Sequence, residues 1–134
     1  MVLIDRLAYW EEGRAAATLR VRPNARFVDG ESLETPCLLE HMAQAIAACL
    51  GYEAFRDGRG VRRGMVVGCR EFISHIDQVH VGDDLVIEVE RESGTEAISR
   101  FKSRVTRDRA LVAEATMSLF HGELPPARPP PPSR

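Results

Sequence analysis

A carboxylate, an imidazole and a carboxamide stand close together in an otherwise apolar run, as Glu40, His41 and Gln44 lie within Cys37–Leu50. At about 3.6 residues per turn Glu40 and Gln44 share a helix face, whereas His41 points about 100° away from Glu40. A carboxyl on a largely apolar helix is expected to have its pKa raised by desolvation, and a carboxyl that keeps its proton near neutral pH is a proton donor. Each group also has a plainer reading. Glu40 could be a structural carboxylate bonded to Gln44 or to backbone, and His41 a packed or interface histidine. His75, His80 and His121 fall on expected strands with no ligand-like spacing to carboxylates or thiols, so no metal site is expected. Cys37, Cys49 and Cys69 form no CxxC pair and read as small core residues of a reduced, cytoplasmic protein.

The elements that must hold these groups can be read from pattern. Thr35 followed by Pro36 is a helix start, with threonine able to cap and proline tolerated at the first helical position. The helix is expected from about Pro36 to Ala54. Leu38, Leu39, Met42, Ala43, Ala45, Ile46, Ala47, Ala48 and Leu50 cover nearly its whole circumference, which marks a buried helix. Upstream, Met1 to Leu7 reads as a first strand, Glu11-Glu12-Gly13 as a turn, and Ala15 to Arg22 as an alternating, half-buried strand ended by Pro23. Asn24 to Glu34 reads as a polar loop. Downstream, 64–76, 84–92, 96–106 and 110–121 read as strands, joined at Ser93-Gly94 and Arg107-Asp108 by hairpin-like connections. The expected architecture is α+β: an antiparallel sheet curled around one long helix, with a sheet edge and a helix side left to favour a dimer.

Composition bounds the rest. The chain has 134 residues, 44% of them hydrophobic and 28% charged, which suits a single domain. That domain is expected over 1–123, followed by a proline-rich tail over 124–134 that cannot join a sheet. A net charge of -2 gives no general attraction to nucleic acid or an anionic membrane. The sequence does not open on a basic segment with a long apolar run, so no signal peptide is expected. The most apolar stretch is too short to span a bilayer.

Several segments, taken in order, resemble the hotdog-fold dehydratases that act on 3-hydroxyacyl-carrier-protein thioesters. Val2-Leu3-Ile4-Asp5-Arg6 with the Glu11-Glu12-Gly13 turn is similar to that family's first strand. Leu38-Leu39-Glu40-His41-Met42-Ala43-Gln44 is similar to the start of its central helix, where a glutamate is followed after two residues by Ala-Gln. Val79-His80-Val81-Gly82-Asp83-Asp84-Leu85 resembles its Pro-Gly-Asp-type turn. Gly64-Met65-Val66-Val67-Gly68-Cys69-Arg70-Glu71 is closer to one branch, the dehydratase-like proteins of aryl-polyene clusters. The resemblance covers roughly residues 2 to 120.

The resemblance implies a lyase that eliminates water from a 3-hydroxyacyl thioester in fatty-acid-like or polyene biosynthesis. One group removes the proton at C2, and Glu40 matches the acid that protonates the departing hydroxyl. It also implies substrate contacts at Thr35, Cys37, Gln44 and Gly68, with N–H groups of Thr35 and of Cys37 or Leu38 facing the thioester oxygen. No cofactor is implied beyond the phosphopantetheine of an acyl carrier protein. Arg56, Arg59, Arg62 and Arg63, in a Gly-containing stretch after the helix, suit docking of that acidic carrier.

The family's histidine, in a His-Phe-Pro-Gly-type loop before the helix, has no counterpart. An ungapped count from Glu40 reaches Arg26, alignment on Phe27 brings Asp29 and Glu31 nearby, and Glu34-Thr35 replaces Pro-Gly. Three readings of the base stand open: His41 or Asp29 serves, the chain is catalytically degenerate, or a second hotdog subunit supplies the histidine. An acyl-thioester hydrolase, with Asp29 or Glu40 activating water, is the competing activity on this fold.

Overall fold

The computed structural model describes residues 3–58, 65–94 and 98–120. Two strands lead, β1 (Arg6–Glu11) and β2 (Arg14–Arg20), followed by a small hairpin, β3 (Val28–Asp29) and β4 (Ser32–Glu34). A single 3-10 turn, Thr35–Cys37, runs into α1 (Leu38–Arg56). Then come β5 (Met65–Ser74), β6 (Gln78–His80), β7 (Asp84–Gly94), β8 (Ile98–Arg107) and β9 (Ala110–Phe120). The six long strands form one antiparallel sheet in the order β1-β2-β7-β8-β9-β5, and β3, β4 and β6 form a second, three-stranded one.

Alternation explains the sheet's inner face. In β7, Leu85, Ile87 and Val89 are buried while Glu88 and Glu90 face solvent. Opposite them in β8, Ser99, Phe101, Ser103 and Val105 are buried. In β9 the expected set of Leu111, Ala113, Ala115 and Met117 is modified. A register shift between Val105 and Thr106 of β8 buries both Val112 and Ala113 and leaves Leu111 only half-buried.

Against this face lies α1, in contact with β1, β2, β7, β8 and β9. Its buried Leu38, Met42, Ala45, Ile46 and Cys49 recur at helical spacing and form one core with Phe101, Met117 and Leu119. The far end of the helix is pinned separately. Trp10 Nε1–H donates to the Cys49 carbonyl at 3.1 Å, and its ring meets Tyr52 at 4.7 Å and the Arg56 guanidinium at 4.8 Å. Glu53, 9% exposed, accepts from Arg91 of β7 at 3.2 and 3.3 Å. The helix ends at Arg56, two residues beyond the expected Ala54.

The N-terminal third departs from its expected layout. Of the stretch expected as the first strand, Leu3 and Ile4 do not join it. Ile4 packs on the core, the Leu3 N–H is held by Gln44, and the ladder begins at Arg6. Glu11 is the last strand residue, so the reversal falls on Glu12-Gly13, where Gly13 takes φ +79°. The polar stretch 24–34 is not all loop, because it carries β3 and β4. At the last hairpin the turn sits one residue later than expected, on Asp108-Arg109, whose φ angles of 51° and 70° are those of a type I′ turn made without glycine. Both edges of the large sheet are irregular. The ladder of β1 shifts between Leu7 and Tyr9, and that of β5 shifts between Val66 and Gly68 and again between Cys69 and Glu71. The expected tail over 124–134 lies outside the described residues. None of the described helices is long and apolar enough to cross a membrane.

Candidate functional site

The first turn of α1 presents its two titratable neighbours to opposite environments. Glu40 is exposed, and among the described residues it makes no hydrogen bond or ion pair. The apolar surroundings expected of it are therefore not supplied within one chain. His41 is turned inward and is 4% exposed. Its Nδ1 lies 3.2 Å from the Cys37 carbonyl, which can only accept, so Nδ1 carries the proton and Nε2 the lone pair. Burial pushes the imidazole pKa below its ordinary value, against the Cys37 carbonyl and Glu40, which favour the charged form. Within one chain the two side chains thus diverge, Glu40 toward solvent and His41 toward the interior.

The neighbouring expectations fare differently. Thr35 does not cap the helix with its side chain. Its hydroxyl donates to the Ile76 carbonyl at 2.6 Å and its N–H to the Asp77 carbonyl at 2.9 Å. Both donors of this fully buried residue are used in seating the 3-10 turn on the β5–β6 connection, so Thr35 has none left for a thioester oxygen. The Leu38 N–H is likewise taken, by the carbonyls of that turn. Cys37 is half-buried at the N-cap position of α1, where its side chain makes no capping hydrogen bond. Gln44 does not pair with Glu40; its Oε1 accepts the Leu3 N–H at 2.6 Å and ties the N-terminal segment to the helix.

Asp29 is exposed in the β3–β4 hairpin, where no hydrogen bond or ion pair joins it to Glu40 or His41. Gly68 is half-buried in β5, beside a register shift. Of the arginine group, Arg56 is described: it bonds Asp57 at 3.0 Å and lies 3.9 Å from Glu12. Arg59, Arg62 and Arg63 lie outside the described residues.

Two hollows among the described residues bear on these elements. One, about 520 Å³, lies on the outer face of the sheet among Tyr9, Arg14, Glu88, Glu90, Lys102 and Arg104, and neither Glu40 nor His41 borders it. The other, about 300 Å³, is bordered by His41 together with Leu19, Val21, Val28, Leu33 and Arg26. Pattern reading did not find this second one. Its only signal was the apolar alternation of β2 continuing into Val21, opposite a helix histidine. Asp5 stands at its mouth. Burial works to raise the Asp5 pKa, but hydrogen bonds from the Arg22 side chain and the Arg20 N–H outweigh it and hold the carboxylate low. No group of three or more potential metal ligands occurs among the described residues.

Comparison with known proteins agrees with this architecture. Among solved structures, the dehydratase heterocomplex ApeI:P from Xenorhabdus doucetiae matches with a TM-score of 0.85 at 16% identity, covering 91% of this chain and 84% of that one. A hypothetical thioesterase from Streptococcus pneumoniae TIGR4, solved with coenzyme A, matches at 0.67 and 15% identity over 88% of this chain and 85% of that one. The E. coli PaaI protein matches at 0.69 and 16% identity over 90% and 80%. At these identities the likeness is one of fold, the hotdog arrangement of a long helix on an antiparallel sheet. No curated protein matches the chain. A family described as ApeP-like, ApeP dehydratase, matches residues 1–127, and the chain belongs to that family.

Proposed function

We propose that this chain is one subunit of a two-subunit dehydratase for 3-hydroxyacyl-carrier-protein thioesters, with Glu40 as the acid. The observation that carries this reading is the exposure of Glu40 on the first turn of α1 while His41 is turned inward. A second hotdog subunit laid against the outward side of α1 would desolvate the carboxyl, raise its affinity for a proton and bring a histidine to the substrate. The heterocomplex formed by its structural neighbour supports such a pairing, as does the missing histidine loop. The cysteines, one of them exposed and all unpaired, suit a reducing cytoplasm.

In this scheme the partner's base takes the C2 proton. The C2–H electrons form the double bond as the C3–O bond breaks, and the Glu40 proton goes to the departing hydroxyl, which leaves as water. Donors for the thioester oxygen have to come from elsewhere than Thr35 and Leu38, whose N–H groups are occupied. The acyl chain arrives on phosphopantetheine, and Arg59, Arg62 and Arg63, with Arg56, receive the acidic carrier. Charge reversal at those three positions is expected to raise KM for carrier-bound substrate and leave a short thioester mimic unchanged.

The deciding experiment follows enoyl product from a 3-hydroxyacyl-carrier-protein substrate, using the chain alone and mixed with a histidine-bearing hotdog subunit from the same genome. Turnover only in the mixture, lost on Glu40→Gln, is the expected result. Turnover by the mixture that survives Glu40→Gln would make the chain a non-catalytic scaffold. Full activity of the chain alone would return the base to His41 or Asp29. Release of free thiol in place of enoyl product would make it a hydrolase.

A further inference from the structure

The cavity on the inward side of the first turn of α1 has no part in that scheme, since Glu40 does not border it. Its wall is hydrocarbon, from Leu19, Val21, Val28 and Leu33. His41 borders it with Nδ1 committed to the Cys37 carbonyl, and among the described residues nothing donates to Nε2. The residue as a whole is buried, and a hydroxyl brought to Nε2 would occupy its lone pair in place of water.

The rim is cationic, and its three arginines are not equivalent. Arg20 is held by both carboxylate oxygens of Asp84, at 2.8 and 3.0 Å, and Arg22 by Asp5 at 2.6 Å. Arg26 stacks over Phe27 at 5.0 Å and has no carboxylate partner among the described residues. It is the rim charge left for a ligand.

An open lone pair, a hydrocarbon lining and an uncommitted guanidinium around one cavity define a complement. We infer that this cavity binds a small hydroxy acid, its hydroxyl donating to Nε2 of His41, its hydrocarbon body against Leu19, Val21 and Leu33, and its carboxylate at Arg26. A volume of about 300 Å³ is at the small end of ligand pockets, which suits a compact acid over a long acyl chain. The inference is independent of the dehydratase reading.

The test is an NMR titration of the isotopically labelled full chain with two matched pairs: 6-hydroxyhexanoate against hexanoate, and 4-hydroxyphenylacetate against phenylacetate. Saturable shifts at Val21, Val28 and His41 are expected, with the hydroxylated member of at least one pair bound roughly three- to tenfold tighter. His41→Leu is expected to abolish that preference. Arg26→Gln, on an exposed loop where folding is not at stake, is expected to weaken both members by a similar factor and keep the preference. The inference is overturned if no acid saturates, if both pairs bind with equal affinity, or if the shifts map away from His41. Occupation of the cavity by water alone corresponds to the first of these results.

Discussion

The two sides of α1 differ in what a single chain completes. On the inward side Leu38, Met42, Ala45, Ile46 and Cys49 lose all contact with solvent, and His41 is buried with them. On the outward side Glu40 and Ala47 stay exposed, as does Pro36 in the turn before the helix, and Ala43 is half-covered, a surface of small side chains around one carboxylate. The inward side is finished by the chain's own sheet and carries stability. The outward side is unfinished, and in the reading above it carries chemistry. Substitutions on the two sides should therefore fail in different assays.

The largest separation is expected at Glu40. In the assembled two-subunit enzyme Glu40→Gln should reduce turnover by about 100-fold or more, the scale of a lost general acid. The melting temperature should not move. A large loss of stability on this change would put Glu40 on the structural side of the comparison. Ile46→Ala should do the reverse. Removing a fully buried side chain should cost about 2–5 kcal/mol in denaturant unfolding, with the residual activity tracking the folded fraction.

His41 tests the comparison through pH. Because burial lowers its folded pKa, the unfolded chain binds more protons as pH falls below the ordinary imidazole value of about 6.5. Its contribution to stability is complete above that value and declines as pH drops toward the folded pKa, with a slope of at most about 1.4 kcal/mol per pH unit. His41→Gln should flatten this part of the stability profile. The acid-range decline should remain, where Asp5 and Asp83, both held below their ordinary values against the effect of burial, become protonated. The smallest effect in the isolated chain is expected at Ala47→Lys, within about 0.5 kcal/mol of the parent at an exposed position. The same change should disrupt association with a second subunit, measured by analytical ultracentrifugation. Undisturbed association would remove the outward side from the interface.

The strands of the second half were legible because each is long enough for period-two alternation to show. The helix was legible because its apolar residues recur over four turns. The short β3, β4 and β6 were not, since two or three residues carry no periodic signal and are fixed by the pairing of Leu33 with Val28 and Val79. Leu3 and Ile4 read as part of a first strand because apolar residues signal burial as well as membership of a ladder. At the site, the sequence placed Glu40, His41 and Gln44 on one helix turn but could not say where each side chain ends. Thr35 and Gln44 spend their polar atoms on Ile76 and Leu3, each 41 residues away in sequence, and no local pattern reports that. The cavity beside His41 was invisible for the same reason, being assembled from β2, a loop, β4 and the helix.

The irregular edges of the large sheet bear on behaviour at high concentration. An open strand edge is a template on which copies can stack without limit, and regular edges extend most readily into fibrils. Here both terminal strands break step, β1 once and β5 twice, so a straight strand laid along either edge loses register within a few residues. Only a strand shaped to the same interruptions could continue the sheet. Crowded copies of this chain would thus be steered toward closed, matched assemblies and away from open-ended fibres.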